Sequence, residues 1–180
     1  MSRESLIADT SLLSYWVAGG IFHTLKELVA GRLYVPPTVV RESSRTLLVR
    51  QAVTEALRDR WLLQTQLSPG ELALAASISG RYGVHQGEAE ALAVAATRGL
   101  VLICDEKAGR VAASALAVKA TGSMGVLYKA VELGMLTALQ ADTAIAQMRT
   151  AKQWVPVKRY DDVRSHVEAN PARAEWLRNL

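Results

Sequence analysis

"GEAEALAVAATRGLVLICDEKAGRVAASALA", Gly87 to Ala117, reads as helix, strand and helix in one uninterrupted run. The first segment spaces alanine, leucine and valine at a helical period up to Arg98, and Gly99 supplies the stop. "LVLICD" is continuously apolar until Asp105, as expected of a strand covered on both faces in a parallel sheet. "EKAGRVAASALA" then returns to a helical pattern. The stretch also sets a chemical problem. Glu88 and Glu90 sit inside an otherwise apolar helix, and a buried carboxylate neutralises, finds a partner or binds a metal. Residues two apart lie roughly 200° apart around a helix axis, so the two glutamates face different surroundings.

The same alternation extends toward the N-terminus. "SLIAD" predicts a short buried strand ending at Asp9, followed by helices over "TSLLSYWV" and "FHTLKELVAG". "RLYVPPTVVRE" predicts a strand from Leu33 to Val35, stopped by Pro36 and Pro37, and a helix carrying Glu42. "SRTLLVRQAVTEALRDR" is helical, "WLLQTQL" strand-like, and "SPGELALAASISGRYG" a helix opening at Ser68 and Pro69. Beyond Ala117, "GSMGVLYKAVELGML" and "LQADTAIAQMRTAK" predict two more helices. Strands alternating with helices imply an α/β fold, a parallel sheet with helices on both faces. Residues 1–157 are expected to form one domain and 158–180 a polar C-terminal extension. Asn170 and Pro171 interrupt helical periodicity in that extension. Trp176 either docks on this chain, on a second copy or on a partner, or belongs to a frayed terminal helix.

Half of the 180 residues are hydrophobic, enough for a real core. No run reaches the roughly 18–20 uncharged apolar residues of a membrane span, so no membrane role is expected. The single cysteine, Cys104, excludes an internal disulfide and suits a reducing compartment, with the cytoplasm as default; it reads as a small buried residue. A net charge of +4 and a pI near 9.4 tolerate a polyanionic partner without specifying one. His23, His85 and His166 fall in unrelated segments with no metal-ligand spacing.

Asp9 and Asp105 both end apolar strands, and that edge of an open α/β sheet is where ligands bind. An acid there is also a frequent helix N-cap. Two such acids, with a third inside an alanine-rich helix, favour a shared site. Carboxylates converging on one pocket repel and raise one another's pKa, and a divalent cation relieves that repulsion. Oxygen ligands suit Mg²⁺ or Mn²⁺ better than zinc. Such an ion lowers the pKa of a bound water and stabilises charge on a phosphodiester undergoing displacement.

"LIADTSLL", "VVRE", "GEAEALAVA" and "LICDEKAGRVAA", in this order, resemble the PIN-domain family, and the chain is most similar to its prokaryotic branch related to VapC-type toxins. "GSMGVLYKAVELGML" is similar to a later segment of that branch, so the resemblance spans about residues 5 to 157. It implies a three-layer α/β/α fold with a central parallel sheet. The implied activity is metal-dependent endoribonuclease cleavage of RNA phosphodiester bonds, using Mg²⁺ or Mn²⁺. Asp9, Glu42, Glu88 and Asp105 are implied as the catalytic and metal-binding acids, with Glu106 as a further ligand. Ser11 is the implied support beside Asp9. Partners implied are an RNA substrate, an antitoxin protein as in a type II toxin–antitoxin system, and a second copy in a homodimer.

Lys107 and Arg110 follow Asp105 closely and are candidates to hold RNA phosphates. Glu88 is expected to face the acidic pocket, and Glu90 to face solvent or a salt-bridge partner. Two other readings stand beside the nuclease. One is a non-catalytic PIN module that binds nucleic acid or protein. The other is a Mg²⁺-dependent phosphatase, disfavoured because Ser11 stands where aspartyl-phosphate enzymes present a second acid.

Overall fold

Strand β1 (Leu6–Ala8) holds the middle of a five-stranded parallel sheet in the computed structural model, which describes residues 4–151, 153 and 155–180. Its neighbours are β2 (Leu33–Val35) and β4 (Val101–Ile103), and β3 (Leu62–Gln64) and β5 (Ala120–Thr121) form the edges. Helices α1 (Thr10–Ala18), α2 (Phe22–Val29), α3 (Pro37–Ser43) and α4 (Leu47–Arg58) connect the first three strands. Between β3 and β4 lie α5 (Pro69–Tyr82) and α6 (Gln86–Arg98), and α7 (Lys107–Ala115) precedes β5. The rest of the described chain is helical: α8 (Ser123–Glu132), α9 (Ala138–Thr150), α10 (Tyr160–Glu168) and α11 (Pro171–Asn179).

Strand alternation divides the core into two layers. Leu6, Ala8, Val101 and Ile103 face a large cluster with Trp16, Leu25, Tyr128 and Ile145. Ile7, Leu102 and Cys104 face a smaller one built from α5, α6 and α7, where alanines keep the helices close to the sheet. The result is the three-layer α/β/α arrangement expected from the alternating pattern. In the smaller layer Ser68 and Glu71 form a capping box at the start of α5. The Glu71 carboxylate also accepts from Arg98 Nε and Nη2, both at 2.7 Å, tying α5 to the end of α6. That bidentate pairing drives the Glu71 pKa well below the carboxylate range.

Two parts of the fold depart from the sequence reading. β5 is two residues long and carries no periodicity, so "KAT" gave no strand signal. In the segment 158–180, expected to be a polar extension, Asn170 and Pro171 separate two helices that pack on the core. Asn170 Oδ1 caps α11 by accepting from the Arg173 N–H at 3.1 Å, and Pro171 takes its first position. Val163, Val167, Ala174, Leu177 and Leu180 join the large core cluster. Trp176 is partly buried, and its indole N–H donates to Glu4 Oε2 at 3.3 Å. No helix among the described residues is long and apolar enough to cross a membrane.

Candidate active site

The sheet runs outward from β1 to β2 on one side and from β4 to β5 on the other, which opens a crevice at the carboxyl ends of β1 and β4. Ala8 pairs with Ile103, and the Asp9 N–H donates to the Ile103 carbonyl at 3.1 Å. Alternation then sorts the side chains. Asp9 follows the parity of Ile7, and Cys104 that of Leu102, so both emerge beside α6 and α7. Asp105, one residue further, turns toward α8.

Asp9 is the N-cap of α1, its Oδ1 accepting from the backbone N–H groups of Ser11 at 2.9 Å and Leu12 at 3.4 Å. Ser11 thus orients Asp9 through its main chain. Glu88 stands in the first turn of α6, where the free amides of a helix N-terminus favour negative charge. Its Oε1 accepts from the Cys104 thiol at 2.7 Å, and its buried Oε2 has no hydrogen-bond partner. One carboxylate oxygen each from Asp9 and Glu88, together with Cys104 Sγ, lie within 4.8 Å of one another. Glu42 arrives on α3, and its Oε2 accepts from the Thr10 hydroxyl at 2.5 Å. Two close approaches depend on glycine. A Cβ at Gly87 would stand 2.8 Å from Glu42 Oε2, and one at Gly109 would overlap Glu88 Oε1.

Asp9, Ser11, Glu42, Glu88 and Glu106 line one cavity of about 330 Å³, and Arg45 and His85 line it with them. Asp105 does not line that cavity. Its carboxylate accepts from the Ser123 N–H at 2.9 Å and from the Ser123 hydroxyl at the start of α8, and it lines the adjoining cavity with Tyr15 and Arg110. Lys107 is exposed at the start of α7. Arg110 is exposed as well, and its Nη1 donates to the Asp105 carbonyl.

The electrostatics are those of crowded, desolvated acids. Burial raises the Asp9 pKa well above its ordinary value, and the neighbouring Asp105 and Glu88 charges raise it further. Burial likewise raises Glu88, partly offset by the Cys104 hydrogen bond. Asp105 is raised by burial against the opposing pull of Ser123. Burial, then repulsion from Asp9 and Glu88, pushes the Cys104 thiol far up, so it stays protonated as a donor. Tyr15, beside Asp105, is pushed up to about 12, first by burial and then by the acids.

Glu90 departs from expectation. It is buried at 4 % exposure, with no ion pair among the described residues. Its Oε1 accepts from the Thr38 hydroxyl at 2.7 Å and from Gln86 Nε2 at 2.8 Å, which fastens α6 to α3. The helical-face argument does separate the two glutamates, but Glu90 points into a helix–helix contact and not into water. Cys104, read as plain core, sits among the acids; the alternation Leu102–Cys104 was the available signal. His85 and Thr10 became site residues only through tertiary packing.

A family model described as a PIN domain matches residues 5–169, which include all five strands and every acid of the cavity. No curated protein and no solved structure matches the chain. With its parallel sheet and strand-end acids in place, the chain belongs to the PIN-domain family, a fold of the nuclease type.

Proposed function

We propose that this protein is a metal-dependent endoribonuclease, with Asp9, Glu42, Glu88 and Asp105 as its working acids. One observation carries the reading: Asp9 and Glu88, both buried and mutually repelling, present oxygens within 4.8 Å of each other while Glu88 Oε2 has no hydrogen-bond partner among the described residues. Such an arrangement is costly unless a cation is bound. The donor set fits a hard divalent ion such as Mg²⁺ or Mn²⁺, held by Asp9 and Glu88. Glu42 and Glu106 line the same cavity, and Asp105 lines another next to Asp9. When bound, the ion supplies Lewis-acid stabilisation of the charge that builds on a phosphodiester under attack by water.

The protein's own groups do the remaining work. Glu42, positioned by Thr10, and Asp9, positioned by the α1 cap, face the space where the attacking water is oriented. Ser123 keeps Asp105 fixed next to Asp9. Lys107 and Arg110 flank the acids and offer positive charge to the phosphates on either side of the scissile bond. A toxin role with an antitoxin partner and a homodimeric state extend the proposal on sequence resemblance alone; a small upstream reading frame with a DNA-binding domain would support the first. The direct test is cleavage of single-stranded RNA by purified protein with Mn²⁺, Mg²⁺ or EDTA. Cleavage with either metal that EDTA and Glu88→Gln abolish is expected. No cleavage with either metal would favour the non-catalytic module.

A further inference from the structure

Two cavities continue away from the acids. The first, about 500 Å³, starts at Asp105 and Tyr15 and passes Met124 and His166 beside α10. The second, about 470 Å³, lies between α7 and α11 and is lined by Lys119 and Trp176. Arg110 and Arg173 line both, so the two cavities adjoin at these side chains, and the groove they bound starts at Asp105.

Two of the groove's cations keep unused donors, and its acids accept hydrogen bonds from the protein. Arg110 uses one N–H on the Asp105 carbonyl, leaving the rest of its guanidinium donors. The Arg173 guanidinium has no hydrogen bond or ion pair among the described residues. Glu4 is engaged by Lys119 Nζ at 2.6 Å and by the Trp176 indole at 3.3 Å. Asp162 accepts from the backbone N–H groups of Lys158 and Arg159, both at 3.2 Å. Cations placed between apolar and aromatic walls match an unpaired strand, whose phosphates seek guanidinium groups and whose bases stack on aromatic faces. A duplex has no free base faces to offer.

We propose that this groove binds the single-stranded RNA flanking the scissile phosphate, with Arg110 and Arg173 on neighbouring phosphates and Trp176 stacked on a base. The proposal rests on the ribonuclease reading above. Arg173 and Trp176 stand on α11, beyond residue 169 where the family match ends, so this part of the groove lies outside the matched family span.

The test uses the full chain carrying Glu88→Gln, to hold substrate uncleaved, and a fluorescein-labelled single-stranded 16-mer oligoribonucleotide (a length of about 16 covers the 4–16-nucleotide range of single-strand sites). Arg173→Ala should weaken binding about tenfold and lower the slope of log affinity against log salt by about 0.7, the loss of one single-strand phosphate contact. Trp176→Leu should weaken it about tenfold with the slope unchanged, since stacking releases no counterion. Arg58→Ala, at the far end of α4, should match the parent, and the duplex form of the oligonucleotide should bind more weakly. Parent-like affinity in both Arg173→Ala and Trp176→Leu, while the wild-type chain cleaves RNA through its acids, overturns the groove alone. Absence of both binding and cleavage overturns the groove together with the ribonuclease reading. Arg173→Ala is the variant that decides if Trp176→Leu misfolds, because its side chain supports no other group.

Discussion

The Cys104 thiol donates a 2.7 Å hydrogen bond to Oε1 of Glu88, placing the chain's single cysteine inside its acidic cluster. With Glu88 Oε2 already unpartnered, this is the one hydrogen bond that the side chain receives among the described residues. Cys104→Ala should therefore destabilise the metal-free protein by about 1–3 kcal/mol, the cost of orphaning a buried acceptor. Cys104→Ser keeps a donor and should recover most of that. Urea unfolding in EDTA compares the two, and equal losses would show that packing, not the hydrogen bond, is what matters.

Glu88 and Glu90 should behave oppositely on substitution. Glu88→Gln removes a repelling buried charge, so it should abolish cleavage while stabilising the metal-free fold by about 0.5–2 kcal/mol. Glu90→Gln retains an oxygen for Thr38 and Gln86 and should cleave at close to the wild-type rate. Glu90→Ala orphans both donors and should cost about 1–3 kcal/mol. Parallel cleavage and unfolding measurements on the three variants check this, and loss of cleavage in Glu90→Gln would put that residue in the chemistry.

Gly109 is the point where α7 presses on the cluster. A methyl there overlaps Glu88 Oε1 and stands 2.6 Å from Cys104 Sγ. The helix backbone cannot retreat without repacking Ala112 and Ala113 against the sheet. Gly109→Ala should thus cost about 1–3 kcal/mol through overpacking and displace Glu88, even though alanine is the better helix former. A thermal midpoint equal to or above wild type would show that α7 yields easily.

The raised acids also set a pH dependence. Asp9, Glu88 and Asp105 hold protons in the folded state that the unfolded chain releases from about pH 4 upward. Their contribution to stability is complete below that range and is lost as pH rises through their folded values. Glu71 has the opposite sign, because Arg98 lowers its pKa. Its contribution is present above the ordinary glutamate value and lost as pH falls toward the lowered one. In EDTA the protein should melt higher at pH 5 than at pH 7.5, because Glu71 is constant there while the unfolded chain has already released protons that the raised acids favour keeping. A midpoint that rises across this interval would contradict the assignment.

Helix periodicity and apolar runs made the β1–β4 sheet and most helices readable, because each such element buries a face that its own sequence marks. β5 was not, since its two residues are defined by pairing to β4 and by nothing local. Asp9, Glu42 and Glu88 were legible as acids in apolar or strand-end settings, and packing brings them to one cavity. Asp105 is adjacent but aims at Ser123, a consequence of strand parity. Glu90 faces neither solvent nor a salt-bridge partner as expected, because its partners Thr38 and Gln86 are neutral and carry no charge pattern to predict from. Arg173 and Trp176 meet the site only through the packing of α11, which no local signal encodes.

The central claim is that the acids exist to hold a divalent cation, and the thermal midpoint in Mn²⁺ tests it most directly. A ligand at a hundredfold excess over its dissociation constant stabilises a folded protein by about 2.7 kcal/mol. For a domain of this size each kcal/mol moves the midpoint by roughly 2–4 °C. Wild-type protein should gain several degrees in millimolar Mn²⁺ at pH 7.5, and sodium at equal ionic strength should not reproduce the gain. Asp9→Asn preserves the cap on α1 but removes a repelling ligand charge, so it should melt at or above the wild-type midpoint in EDTA and lose the gain. A midpoint that stays flat from EDTA to millimolar Mn²⁺ in the wild type, or that rises equally in Asp9→Asn, would contradict the account.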